Sequence, residues 1–118
     1  MSRRYLSTIE ANIKLKQNKT IEIFLGGFIS NLTKCIRWVS ITQKEDSIVA
    51  EIWEVLDEGS PNYLDVYSFS SLSSEFKPTK IITGNTLEEI LDKLNLTDSK
   101  LVNQGIIQDE YADYLENC

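Results

Sequence analysis

The sequence predicts an α+β domain: an antiparallel sheet of about three to five strands packed against two or three helices, with the C-terminal part helical. Three observations carry this. Residues 48–56 (IVAEIWEVL) are rich in Val, Ile and Trp with acids at alternate places, which suits a pleated strand. Residues 86–96 (TLEEILDKLNL) put Leu87, Ile90, Leu91 and Leu94 at the i, i+3, i+4, i+7 spacing of an amphipathic helix. Between such segments lie short polar runs with turn chemistry, such as DEGSPN at 57–62. At 118 residues the chain reads as a single domain, 1–118, long enough for its own hydrophobic core.

Residues 5–17 read as a short helix. Ser7 and Glu10 fit a capping box, and Leu6, Ile9 and Ile13 fall on one helical face. The alternation of Ile9, Ala11, Ile13 and Leu15 competes for a strand. Residues 20–25 (TIEIFL) are a strand that Gly26–Gly27 ends as a turn. Without G-x-G-x-x-G or Gly-Lys-Ser/Thr, the glycine pair does not read as a phosphate loop. Residues 35–43 form a strand that a polar connection at 44–47 joins to 48–56.

Residues 63–69 (YLDVYSF) are expected as the next strand, making a central meander over 35–69 that 20–25 and Lys80–Thr83 extend. In the intervening turn Gly59 permits positive φ, Pro61 fixes φ, and Asp57 and Asn62 can bond their own backbone. Pairing Leu56 with Tyr63 would set Glu54 opposite Asp65, and facing like charges destabilise a sheet. A one-residue slip is preferred, with Trp53 opposite Tyr67 and Val55 opposite Asp65. Residues 70–78 read as loop. In the helix over 86–96, Thr86 and Glu89 form a capping box, and Glu88 and Glu89 complement the helix dipole. Residues 99–105 read as a short helical turn stopped at Gly105. Asp109 caps a last helix whose apolar residues are Tyr111, Ala112, Tyr114 and Leu115.

The central segment divides into two faces. Ile48, Ala50, Ile52, Leu56, Leu64 and Val66 make a core face. Val49, Glu51, Trp53, Val55 and Asp57, with Tyr63, Asp65, Tyr67 and Phe69, mix aromatics with acids. That second face is either covered by a helix, with its acids at the rim, or is a partner-binding surface.

Composition narrows the chemistry. There is no histidine, which removes Ser-His and Cys-His pairs and the commonest general acid-base. Cys35 has Arg37 as its one visible activating neighbour and reads as a structural thiol; it and Cys118 are too few for a zinc site. No catalytic residue, metal ligand or cofactor-binding residue is expected. Asp57, Glu58 and Asp65 could approach one another across the loop and hold Ca²⁺ or Mg²⁺, which is the route to a carboxylate- or metal-dependent enzyme. No span approaches transmembrane length, and no apolar stretch follows Arg3 and Arg4 as in a secretory signal, so a cytoplasmic protein without membrane association is expected.

Net charge is −6, unevenly spread: eight Lys/Arg face two Asp/Glu through Lys44, and four face sixteen from Glu45 onward. The acidic part repels phosphates and attracts a basic partner. Arg3, Arg4, Lys14, Lys16, Lys19, Lys34 and Arg37, with Trp38 for stacking, could form an RNA-binding patch, but no RNA-binding signature accompanies them. Nucleic acid is therefore not the expected partner.

Aromatics set among carboxylates suit a protein inhibitor of a basic enzyme: acids steer the encounter and aromatic anchors fill the desolvated centre. In the segments WEVLDEGSPNYLDVY and QDEYADYLEN the chain resembles the immunity proteins of bacterial polymorphic and contact-dependent inhibition toxin systems. The resemblance is one of character, shared through no motif. It implies a cytoplasmic bacterial protein that binds one cognate basic toxin, of nuclease type, and blocks it. The contact residues expected are Glu51, Trp53, Asp57, Glu58, Tyr63, Asp65 and Tyr67, with a second patch at Asp109, Glu110, Asp113 and Tyr114. The alternative is a non-catalytic module that self-associates, as a homodimer, through the aromatic face.

Overall fold

Alternation along three long strands builds the molecule. The computed structural model describes residues 5–72 and 77–117. In order the elements are β1 (Tyr5–Leu6), α1 (Thr8–Lys16), β2 (Ile21–Ser30), β3 (Thr33–Lys44), β4 (Ser47–Leu56), a single 3₁₀ turn (Val66–Ser68), β5 (Lys80–Gly84), α2 (Leu87–Lys93), β6 (Leu101–Asn103) and α3 (Ile107–Glu116). The α+β class holds. The sheet has six strands rather than three to five, all paired antiparallel in the order β1-β6-β2-β3-β4-β5.

Each sheet face buries its own core. Ile21, Ile23, Val39, Ile41, Ile48 and Ala50 point to one side, where Ala11 and Leu15 of α1 and Leu87, Ile90 and Leu91 of α2 cover them. Ile36, Trp38 and Val55 point to the other, under Ile107 and Tyr111 of α3 and under Val66 and Phe69 from the 57–72 segment. Each face of the sheet therefore carries its own packed layer. No helix among the described residues is long and apolar enough to cross a membrane.

The 35–56 hairpin forms as β3 and β4, but the third strand of the expected meander does not. Residues 63–69 alternate like a strand but fold as an irregular segment with the 3₁₀ turn at its centre. The backbone of Ser60 and Tyr63 closes on itself, with N···O distances of 3.0 and 2.8 Å, and turns the chain away from β4. The segment lies on the sheet face instead, and β5 takes the place beside β4. Trp53 accordingly sits opposite Trp38 of β3, not opposite Tyr67, and Val55 makes its outer bridge to Ser71 rather than to Asp65.

Gly26–Gly27 does not end β2. The register shifts between Phe24 and Gly26, and Gly26 adopts φ +89°, so the pair forms a bulge within a strand that continues to Ser30. The strand turns back through Asn31 and Leu32, at φ 51° and 66°, a two-residue turn of the type that matches strand twist.

Residues 101–103 pair as strand β6 with β1 and β2, where a helical turn was expected. A segment so short takes its structure from its neighbours. Asp109 does not cap α3: Ile106 occupies that position without a side-chain bond, and Asp109 lies in the first turn. The Ser7–Glu10 capping box of α1 forms in both directions, at 3.1 and 3.0 Å. The buried face of α1 is Ala11 and Leu15, while Ile9 and Ile13 are 75% and 50% exposed. At α2, Thr86 accepts from Glu89 N at 3.1 Å, but Glu89 pairs with Lys93 rather than returning the bond.

Gly59 is required for close approach, not for positive φ. A Cβ there would lie 2.5 Å from two Tyr111 atoms and 2.6 Å from Phe69. Both rings are fully buried and have nowhere to move. Gly59→Ala is expected to destabilise the fold by about 1–3 kcal/mol through overpacking, read as a lower urea midpoint at unchanged slope. An unchanged midpoint would show that the rings are not locked there.

Candidate functional site

A row of residues crosses the sheet on the α3 side. Glu22 on β2 lies opposite Ser40 on β3, which lies opposite Glu51 on β4. The next row on the same face is Phe24, Trp38 and Trp53. The short side chain of Ser40 between two carboxylates, next to two indoles, leaves a hollow. Thr20, Thr42, Tyr67 and Gln104 complete its wall, and its volume is about 220 Å³.

The aromatic wall is ordered by specific contacts. Trp38 and Trp53 are near parallel, with centroids 6.3 Å apart and planes at 16°. Tyr67 stands at 90° to Trp38, at 5.8 Å. Trp53 Nε1–H donates to Ser40 Oγ at 3.1 Å, which fixes the ring.

Glu22 was not anticipated from sequence. It is 1% exposed, the one buried charged residue among those described. Tyr67 O–H donates to its Oε1 at 2.7 Å and Gly105 N–H to the same oxygen at 3.1 Å. A signal was present: in TIEIFL the residues Thr20, Glu22 and Phe24 alternate with Ile21, Ile23 and Leu25, the same polar-aromatic alternation seen in β4.

Burial pushes the Glu22 carboxyl above its ordinary value of 4.5, and the bonds from Tyr67 and Gly105 oppose that only in part. Burial, with Glu22 beside it, likewise holds the Tyr67 phenol well above its usual range. A carboxyl whose folded pKa exceeds its unfolded one favours the fold when protonated. Its contribution is therefore lost as pH rises from about 4.5 through the raised value. Glu22→Gln keeps an acceptor for both donors and removes the charge. It is expected to melt at a higher temperature than wild type at pH 7 and to flatten this part of the pH profile. Melts of both proteins between pH 4.5 and 8 check this, and a less stable Gln variant at pH 7 would contradict it.

The expected contact residues all lie on elements that pack on this same side. Glu51, Trp53 and Tyr67 line the hollow. Among the described residues Glu51, half-buried, has no hydrogen-bond or ion-pair partner. Glu58, Tyr63, Asp65, Asp109 and Asp113 are exposed on the 57–72 segment and α3 and do not line it. The remainder serve the fold. Asp57 accepts from the Tyr111 hydroxyl, Glu110 accepts from Tyr5 O–H at 2.8 Å, and Tyr114 packs on Phe24 and Tyr111.

The other chemical candidates are placed as follows. Asp57, Glu58 and Asp65 do not converge; Glu58 instead accepts from Ser70 N–H and O–H, at 2.5 and 2.9 Å. No three acidic or cysteine residues among those described gather to hold a metal ion. Cys35 is buried, which pushes its thiol above the usual value. Trp38 is buried too and cannot stack on a base, and Arg37 pairs with Glu54, joining the basic third of the chain to the acidic remainder. Arg3, Arg4 and Cys118 lie outside the described residues.

Compared with known protein families, curated proteins and solved structures, the chain matches none.

Proposed function

We propose that this chain is a protein-binding inhibitor of the immunity type, which neutralises a cognate basic toxin through the acidic-aromatic side of its sheet. The observation that supports this is the hollow over Glu22, Ser40 and Glu51, walled by Trp53 and Tyr67, on the sheet face that also carries the 57–72 segment and α3 with their exposed acids. A partly exposed carboxylate with no internal partner, as Glu51 is among the described residues, suits a surface that meets a cation. Nuclease toxins are basic because their substrate is anionic, and the carboxylates would occupy the surface that receives phosphates.

The test is affinity capture of partners from the producing cell at low ionic strength, with mass spectrometry of the eluate. One near-stoichiometric protein with a basic domain supports the proposal and names the target. A clean eluate contradicts it.

A second reading, self-association, is favoured by large apolar side chains that stand exposed. Leu32 at the tip of the β2–β3 hairpin is 99% exposed and held at positive φ, and Ile29 and Ile81 are 63% and 58% exposed. Mass in solution that rises with concentration, in the absence of any captured protein, would favour it.

A further inference from the structure

We propose that a groove on the α2 side of the sheet binds a straight-chain aliphatic carboxylate, with the chain on an apolar floor and the carboxylate at Lys80. The groove lies on the opposite face from the hollow over Glu22 and Glu51, so it stands apart from the inhibitor reading.

The groove exists because α2 is short. The helix ends at Lys93, and Asn95, at φ 58°, turns the chain out of it. Leu96 then folds back, its N–H donating to Leu91 O at 2.8 Å. Leu94 and Leu96 form one wall. On the sheet, Val39 lies opposite Ile52, and Ile52 opposite Lys80. Leu25, at the β2 bulge, closes the far side of that row. The space between measures about 430 Å³, within the ~300–1,000 Å³ usual for a small-molecule site.

The floor is apolar and incompletely covered. Leu25, Ile52, Leu94 and Leu96 are half-buried; they pack on the α1–α2 core and also line the groove. An aliphatic chain laid there takes its own surface and theirs out of water.

The polar residues select the head group. Arg37 pairs with Glu54 across β3 and β4, so their charges cancel. Thr79 has donated its hydroxyl to Ile52 O at 3.2 Å. Lys80 is exposed and, among the described residues, has no hydrogen-bond or ion-pair partner. It supplies the uncompensated charge of the lining, and it stands at one end of the row, on the edge strand. A single cation at the end of an apolar floor matches an anion with an apolar tail. A sugar or other polar ligand finds few free hydrogen-bonding groups there, and a cationic ligand is repelled.

The experiment uses octanoate, with octanamide and hexanoate beside it, all below the concentrations at which they aggregate. Each is titrated into the protein while the methyl signals of Leu25, Ile52, Leu94 and Leu96 are followed by NMR. Octanoate is expected to shift them saturably, with a midpoint on the order of 1 mM for a ligand of this size. Octanamide keeps the tail without the charge and is expected to bind roughly threefold to fivefold more weakly, the scale of an exposed ion pair. Hexanoate, shorter by two methylenes, is expected to lose about tenfold. Lys80→Gln, at an exposed position whose change should leave the other methyl signals in place, is expected to bring octanoate down to the octanamide level. Lack of saturation, equal binding of octanoate and octanamide or of octanoate and hexanoate, or octanoate binding that Lys80→Gln does not weaken would each overturn the site. So would shifts as large at the exposed Ile9, Ile29 and Leu32 as in the groove, since they would mean unspecific adsorption. If a basic protein is captured but octanoate does not bind, the groove falls and the inhibitor reading stands. If octanoate binds and nothing is captured, the groove stands without that reading.

Discussion

Tyr111→Ala is expected to lose about 3–5 kcal/mol of stability, the range for emptying a buried aromatic site. Tyr111 is fully buried where three elements meet. Its ring contacts Phe69 of the 57–72 segment at 5.5 Å, Phe24 of β2 at 6.2 Å and Tyr114 of α3 at 6.0 Å. Its hydroxyl donates to Asp57 and accepts from Gly59 N–H at 3.1 Å. Without the ring, α3 and the 57–72 segment lose their common anchor on the sheet. Tyr111→Phe keeps the ring but leaves Asp57 and Gly59 without their partner, at an expected cost of about 1–3 kcal/mol. Urea unfolding of both variants separates the two contributions. A loss under about 1 kcal/mol for the alanine variant would mean that this layer is held elsewhere.

The second large effect concerns rate. Changing Asp65, Asp109 and Asp113 together to lysine takes the net charge from −6 to zero. All three side chains are exposed, where an ion pair or a first-turn charge contributes only ~0–1 kcal/mol, so the fold should survive the change. If the acids steer a basic partner, its association should slow by about 10- to 1,000-fold at low salt. The difference should shrink above ~0.5 M salt, where screening acts within a few ångströms. An association rate unchanged at low salt would remove these acids from the encounter. Asp57 is a poor choice for this experiment, because reversing it would leave the Tyr111 hydroxyl facing an ammonium and would perturb the fold itself.

Local patterns were read well, and the misreadings share a cause. The alternation of β4 assigned both of its faces correctly: Ile48, Ala50 and Ile52 meet α1 and α2, and Trp53 and Val55 meet the other core. The α1 capping box was legible because its partners are three residues apart. What covers a face is set at long range, and there sequence failed. Tyr63, Asp65, Tyr67 and Phe69 alternate, yet the aromatic rings are wanted over Trp38 and Tyr111, not in a ladder beside β4. In α1 the residues that look most hydrophobic, Ile9 and Ile13, stay outside, because the smaller Ala11 lets the helix approach the sheet. The aromatic-acid face is covered only in part. Its Phe69 end is covered by α3, and its Trp53 end stays open as the hollow.

That open end is the centre of the account, and amide hydrogen exchange tests it most directly. Exchange would be compared for the protein alone and with the partner that affinity capture retrieves. The account predicts new protection over residues 51–53, 65–69 and 104–113, at the hollow and on the acidic elements of the same face. Protection confined to the β2–β3 hairpin tip at 29–34, or to β5 at 80–84, would contradict it and place the interface on the exposed apolar side chains instead.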